Sequence, residues 1–116
     1  MSIKVTGLAR FALLEKIHAL IQLQKGNLME RYPDALQQLT DSERAEWDCV
    51  VGRLQQIAEA GQRKKIGVLI DAEESWVQDP IDAVALQLMQ QFNQERAVVF
   101  NTYQLYRHDQ IGRAHV

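Results

Sequence analysis

The chain has 116 residues, which is enough for one small domain or for part of a larger one. Its residues are 47% hydrophobic and 24% charged, a composition that is typical of folded globular proteins and not of disordered chains. The net charge of −2 gives no electrostatic reason to expect nucleic-acid binding, and the single cysteine, Cys49, excludes an intrachain disulfide framework and a cysteine-rich zinc site.

The first part of the chain is predicted to form one short strand followed by helices. Ser2–Thr6 is β-prone and is followed by a glycine, which predicts a strand. Residues spaced as on one helical face come next: Phe11, Leu13, Leu14, Ile17, Leu20 or Ile21, and Gln24. We expect Gly26-Asn27 to end this helix and Pro33-Asp34 to open a short second one.

A capping box marks the start of the longest predicted helix. Thr40 can cap the amide of Glu43, and the Glu43 side chain can reach back to Thr40. Apolar residues then define one helical face: Trp47, Val50, Val51, Leu54, Ile57 and Ala58. Gly61 is placed to end this helix. The basic residues 63–65 are expected to complement the C-terminal end of the helix dipole, with an anion site as the alternative.

The stretch from Lys65 to Ser75, KIGVLIDAEES, is the main candidate for function. Ile66–Ile70 is a short apolar run with β-branched residues, which is typical of a parallel strand buried on both faces. The carboxylates of Asp71, Glu73 and Glu74 follow it directly. Because ligands and catalysis lie at the carboxyl ends of parallel strands, we expect a functional site at this position.

A helix and a further strand follow this stretch. Asp79 is predicted to cap the helix with Pro80 at its first position, and five apolar residues form its buried face: Ile81, Val84, Ala85, Leu88 and Phe92. Ala97–Phe100 is the next buried strand, and polar residues 101–104 end it. Strands that alternate with helices predict an α/β fold with about three parallel strands, part of a (β/α)8 TIM-like barrel with a helical insertion after the first strand.

Three motifs at the predicted strand ends resemble those of one enzyme family. They occur in the order Ile3-Lys4-Val5-Thr6-Gly7-Leu8, Ile70-Asp71-Ala72-Glu73-Glu74-Ser75 and Val99-Phe100-Asn101-Thr102-Tyr103-Gln104. Together they are similar to the proline dehydrogenases, flavoenzymes built on a distorted (β/α)8 barrel, and the insertion resembles the eukaryotic-type subgroup. The resemblance implies FAD-dependent oxidation of L-proline to Δ1-pyrroline-5-carboxylate in proline catabolism, with electrons passed to a quinone.

The resemblance also implies roles for individual residues. Lys4 matches the family lysine beside the substrate and the flavin, and Asp71 matches the active-site aspartate, which would orient cationic groups or polar partners. Ala72 would lie against the flavin through its backbone, and Asn101 matches the amide that hydrogen-bonds the flavin ring. We expect no metal site, because the histidines lack suitably spaced partners.

The chain also departs from the family pattern. The family's Arg-x-x-Lys-Gly-Ala-Tyr strand, the arginine pair that clamps the proline carboxylate and the first barrel strand have no counterpart here. We therefore expect residues 1–109 to be an internal fragment of the barrel that is inactive alone. Residues 110–116 are interpreted as a non-native, adapter-derived tail, with the start of another helix as the alternative.

The sequence and the resemblance also indicate where the protein is located in the cell. No apolar run approaches the roughly 18 residues of a membrane span. The resemblance implies a parent protein in the cytoplasm or peripherally at the inner face of the membrane if bacterial, and in mitochondria if eukaryotic.

The alternative functions are a glycoside hydrolase barrel that uses Asp71 and Glu73, and a non-catalytic binding module. Trp47, Trp76 and Cys49 are expected to be packing or boundary residues, and Glu74 to be solvated.

Overall fold

The computed structural model describes residues 1–94 and 97–101, which form a parallel sheet covered by helices. The strands are β1 (Ser2–Ile3), β2 (Val68–Ile70) and β3 (Val99–Asn101), in the order β1-β2-β3. The helices are α1 (Phe11–Leu23), α2 (Leu28–Leu36), α3 (Asp41–Lys64) and α4 (Gln78–Phe92). The predicted α/β class with three parallel strands is confirmed, and the arrangement is compatible with part of a barrel.

The first strand is shorter than predicted. Only Ser2–Ile3 pairs with β2, and residues 5–7 form a 3₁₀ turn in which the Gly7 amide donates to the Lys4 carbonyl at 2.9 Å. Val5 in this turn is fully buried and belongs to the hydrophobic core. Helix α1 then begins at Phe11, which is the first residue of the predicted helical face.

The short second helix starts earlier than predicted. Asn27 caps α2, because its side-chain oxygen accepts a hydrogen bond from the Glu30 amide at 3.0 Å. Pro33 therefore lies inside α2 and does not open it. The prediction from Pro33 was wrong because Asn27, six residues before the proline, caps the helix and decides where it begins.

The capping box of α3 is confirmed, but its predicted end is wrong. The Thr40 hydroxyl accepts from the Glu43 amide at 3.2 Å, and the Glu43 carboxylate accepts from the Thr40 amide at 2.9 Å. Gly61 does not end the helix, which continues to Lys64, and Lys65 takes the left-handed conformation with φ 58°. Two basic residues lie in the last turn, where cations complement the helix dipole.

The predicted cap of α4 is also wrong, although its buried face is confirmed. The helix follows a 3₁₀ turn at residues 75–77 and begins at Gln78, so Asp79 lies in its first turn. The Asp79 amide instead donates to Nδ1 of His18 on α1 at 3.2 Å. The five apolar residues predicted for the inner face are all buried: Ile81, Val84, Ala85, Leu88 and Phe92.

The helices cover one face of the sheet. Val68, Ile70 and Val99 are buried against them, whereas Leu69 and Phe100 on the other face are only half-buried. In the described part of the chain, β2 is thus buried on one face and only half-buried on the other, whereas burial on both faces was predicted. A β-strand that is covered on one side only is expected where a sheet belongs to a larger barrel.

Three predicted packing residues behave differently from one another. Trp47 is fully buried, as predicted, whereas Trp76 is 51% exposed and Cys49 is exposed, so those two predictions are wrong. Trp76 lies in the 3₁₀ turn before α4, and Cys49 lies on the outer face of α3, away from the core stripe. Phe11, at the first position of α1, is also 40% exposed, although it was placed on the predicted apolar face.

Within residues 1–94 and 97–101, no helix combines the length and the apolar character that a bilayer crossing requires. The same residues contain no group of three or more His, Cys, Asp or Glu side chains that could hold a metal ion. The predicted tail at residues 110–116, and the polar residues 102–104, lie outside the described residues.

Candidate active site at the ends of the parallel strands

The carboxyl ends of the three strands lie side by side. Ile70 pairs with Ile3 on one side and with Asn101 on the other, and the Asp71 amide donates to the Ile3 carbonyl at 2.8 Å. Lys4 and Asp71 each follow a paired isoleucine, so the register places these two residues next to each other. The structure therefore brings Lys4, Asp71 and Asn101 to the same edge of the sheet.

A cleft of about 400 Å³ opens at this edge. It is lined by Lys4, Thr6, Phe11, Ala72, Glu73, Glu74 and Val77. Of the residues singled out from the sequence, Lys4 and Ala72 line the cleft, whereas Asp71 and Asn101 lie beside it and are not among the lining residues. The volume is in the range of sites for small molecules.

The lining groups define what the cleft can bind. Lys4 is exposed, so its ammonium can pair with a carboxylate or another anionic group. Ala72 has a short side chain, which lets a flat ligand approach the backbone closely. Phe11 adds an aromatic wall, and Glu74 is exposed, as predicted for a solvated carboxylate. The cleft thus combines one cation, two carboxylates and apolar surface.

Glu73 is held more firmly than the sequence indicates. The Thr6 amide donates to its Oε2 at 3.2 Å, and the Thr6 hydroxyl donates to its Oε1. Its own amide donates to Oε1 of Gln78 at 2.6 Å. The sequence places Glu73 at the strand end but gives no sign of Thr6 as its partner, because the two residues are 67 positions apart.

Asn101 lies on the face of the sheet that packs against α4. It is 1% exposed, and its Nδ2 donates to Oδ1 of Asp82 at 3.3 Å. Asp82 also accepts from Nε2 of Gln78 at 2.8 Å. The role toward a flavin that the resemblance implies for Asn101 stays a prediction.

Gln78 and Asp82 were not identified from the sequence. They are 4% and 2% exposed and stand one helical turn apart on α4, on the same side as the apolar face. The sequence contains one feature that could have identified them, which is the presence of two polar residues at this spacing within an otherwise apolar helical face. Buried polar side chains need partners, and these two find them in each other and at the strand ends.

A parallel sheet with a polar cleft at the carboxyl ends of its strands is the arrangement that α/β enzymes use for their active sites. Comparison with known proteins shows to which enzyme family the chain belongs. A family model described as proline dehydrogenase matches residues 1–115. The chain therefore belongs to the proline dehydrogenase family.

Individual relatives agree with this assignment. The chain is 32% identical over 71 residues to proline dehydrogenase 1, mitochondrial, of Caenorhabditis elegans, covering 61% of this chain and 12% of the relative. It is 44% identical over 50 residues to the probable proline dehydrogenase, mitochondrial, of Schizosaccharomyces pombe, covering 43% and 10%. It is 31% identical over 83 residues to hydroxyproline dehydrogenase of Xenopus laevis, covering 72% and 18%.

The extent of these matches is limited. The chain spans between 8% and 19% of the length of the relatives compared. No solved structure matches the chain significantly.

Proposed function

We propose that this chain is part of a longer proline dehydrogenase that uses FAD to oxidise L-proline to Δ1-pyrroline-5-carboxylate and passes the electrons to a quinone. The observation that carries the proposal is the cleft at the strand ends with Lys4 and Ala72 in its lining, in a chain that belongs to this family. Residues 1–109 supply part of the barrel. This part alone is inactive, because the rest of the site lies on other strands.

The residues present fit a flavin. Lys4 offers an exposed ammonium at the cleft, and Ala72, whose side chain is short, lines the same cleft. When bound, FAD supplies the acceptor for the hydride that leaves C5 of proline. Lys4 would hold anionic groups of the substrate or flavin, and Asp71, which directly follows β2, would orient cationic or polar groups. Asn101 would serve as the amide that hydrogen-bonds the flavin ring.

Partners and location belong to the same proposal. Several relatives are named mitochondrial, among them those of Caenorhabditis elegans, Schizosaccharomyces pombe and Arabidopsis thaliana. A eukaryotic parent of this chain would work in mitochondria, and a bacterial one in the cytoplasm or peripherally at the inner face of the membrane. In both cases the quinone acceptor would be reached at a membrane.

The two alternatives have less support. A self-contained binding module would have covered strand edges, whereas β1 and β3 each pair on one side only in residues 1–94 and 97–101. A glycoside hydrolase would need Asp71 and Glu73 as a pair of working carboxylates. Glu73 is engaged by Thr6, and the family match points to a dehydrogenase.

The test uses the longer protein that contains this chain. The purified protein is expected to show flavin absorbance and to reduce a dye when L-proline is added. Lys4→Met and Asp71→Asn are each expected to lower kcat/KM by about 100-fold, as for loss of a charged group that acts on the reacting centre. Glu59→Gln, on the exposed side of α3, is the control for loss of a charge and should leave kcat/KM unchanged.

Two results would contradict the proposal. The first is a protein without flavin absorbance even after FAD has been supplied. The second is full proline-dependent dye reduction by the Lys4→Met and Asp71→Asn variants. Dye reduction by the 116-residue chain alone would contradict the proposed inactivity of this part.

A further inference from the structure

We propose that Glu73 is a positioning residue of this site, which fixes the Asp71-Ala72 segment relative to Lys4 by joining the ends of the strands through hydrogen bonds. The inference rests on the proposed function and adds to it a residue whose role neither the family match nor the strand pattern assigns. Three sets of contacts hold Glu73 in this place.

The first contact joins the end of β2 to the turn after β1. The Glu73 carboxylate accepts two hydrogen bonds from Thr6, one from its amide at 3.2 Å and one from its hydroxyl. Thr6 is two residues after Lys4, and Glu73 directly follows Ala72. A carboxylate that receives both donors of one residue is held in position and direction, and hydrogen bonds to a charged acceptor are stronger than neutral ones.

The second contact joins Glu73 to the start of α4. Its backbone amide donates to Oε1 of Gln78 at 2.6 Å, and Nε2 of the same amide group donates to Asp82 at 2.8 Å. A carboxylate can only accept and a backbone N–H can only donate, so the Gln78 side chain has one orientation that satisfies both neighbours. Gln78 is 4% exposed, which keeps water from competing for these bonds.

The third contact extends this chain of bonds to β3. Asp82 accepts from Nδ2 of Asn101 at 3.3 Å, and both side chains are buried. The ends of all three strands are therefore connected through Glu73, Gln78 and Asp82. A ligand that contacts Lys4 and Ala72 meets two backbone segments whose separation Glu73 sets. Misplacement of such groups by about 1 Å can cost on the order of 100-fold in rate.

The experiment is a double-mutant cycle in the longer protein, with wild-type dye reduction measured first. Thr6→Val removes the hydroxyl with little change in shape, Glu73→Leu removes the carboxylate, and Thr6→Ser keeps the hydroxyl as the matched control. We expect Thr6→Val and Glu73→Leu each to lower kcat/KM by about 10- to 100-fold, the double variant to be no worse than Glu73→Leu, and Thr6→Ser to be close to wild type.

A second readout does not depend on turnover. The FAD affinity of the apoprotein is measured by quenching of flavin fluorescence. It is expected to fall in both single variants, Thr6→Val and Glu73→Leu, and to be retained in Thr6→Ser. Urea unfolding of each variant separates this effect from loss of the fold. If Glu73→Leu does not fold, Glu73→Gln takes its place in the cycle, since it keeps one acceptor oxygen but loses the charge.

The outcomes separate the two proposals. Wild-type protein without proline-dependent reduction overturns the proposed function. An active wild type in which Glu73→Leu abolishes turnover while Thr6→Val has no effect shows that Glu73 acts on the substrate directly, and overturns the positioning role. The positioning role is also overturned if the two losses in kcat/KM, expressed as free energies, are additive in the double variant. An FAD affinity that does not change in either single variant overturns it as well.

Discussion

Gly61 of α3 lies so close to Val68 of β2 that a Cβ atom on the glycine would be 2.7 Å from Cγ2 of the valine. The same atom would be 2.8 Å from the Ile66 carbonyl oxygen. Helix α3 therefore packs directly on β2, the strand that Asp71 follows. A glycine is needed at this position of α3, because the close approach to the strand leaves no room for a side chain.

The first prediction concerns this contact. Gly61→Ala is expected to destabilise the chain by about 1–3 kcal/mol, because backbone and a β-branched side chain must move to admit the methyl group. Gly52→Ala in the same helix is the matched control, since a Cβ there meets nothing within 4 Å. It should be neutral or stabilising by about 0.5–1 kcal/mol. Urea unfolding followed by the fluorescence of buried Trp47 measures both, and equal effects would contradict the prediction.

The second prediction concerns acid stability. Nζ of Lys16 lies 2.7 Å and 2.8 Å from the two carboxylate oxygens of Glu43, and the Lys16 hydrogen bond, followed by the Thr40 amide, lowers the pKa of Glu43 from 4.5 to about 2. A lowered pKa in the folded state adds stability above the unfolded value that is lost as the pH falls. The chain should therefore lose stability between about pH 4.5 and pH 2.

A variant separates the ion pair from the cap. Glu43→Gln keeps an oxygen for the Thr40 amide but cannot titrate, so the urea midpoint should fall less steeply on acidification than in the wild type. The pKa of Glu46 is lowered in the same way by Arg10, so part of the acid dependence should remain. Glu59→Gln serves as the control for charge removal. An unchanged acid dependence in Glu43→Gln would refute the role of this carboxylate.

The third prediction concerns a buried hydrogen bond. Nε1 of Trp47 donates to the hydroxyl of Tyr32 at 2.8 Å, and these side chains are 0% and 3% exposed. Tyr32→Phe leaves the indole N–H without its acceptor and should cost about 1–3 kcal/mol. The loss should appear in urea unfolding at neutral pH. Trp47→Phe in the Tyr32→Phe background should then cost less than in the wild type, and additive costs would argue against the bond.

The Tyr32 hydroxyl also predicts how the stability of the chain changes at high pH. Burial raises the pKa of its hydroxyl from 10.0 to about 12, against a smaller opposing effect of the Trp47 hydrogen bond. A raised pKa in the folded state gives stability that is complete below pH 10 and is lost as the pH rises toward 12. The wild type should therefore lose stability in this range more steeply than Tyr32→Phe. Parallel pH profiles of the two proteins would contradict this assignment.

The fourth prediction concerns the start of α4. His18 on α1 accepts the Asp79 amide at 3.2 Å, and the residue at the N-cap position, Val77, provides no side-chain cap. His18→Leu should destabilise the chain by about 0.5–2 kcal/mol, as for the loss of a helix cap. His18→Asn should recover much of this, because its side-chain oxygen can accept the same amide. Equal stability of His18→Leu and the wild type, measured by urea unfolding, would refute the cap.

The sequence alone determined features that depend on neighbouring residues. The capping box from Thr40 to Glu43 needs only two side chains three positions apart, and the inner face of α4 follows from apolar residues at helical spacing. The alternation of strands and helices likewise predicted the parallel sheet and the polar ends where Lys4 and Asp71 lie together. The three strand-end motifs led to the family that the comparisons confirm.

The way in which these elements meet follows from packing and strand register, which the sequence pattern does not reveal. The bond from Thr6 to Glu73 spans 67 positions, and the register of β1 on β2 brings the two residues together. The need for a glycine at position 61 depends on how closely α3 packs on β2, and the buried Asp82 of α4 accepts a hydrogen bond from Asn101. Local hydrogen bonding and periodicity are encoded within a few residues, whereas register and packing arise from burial across the whole chain.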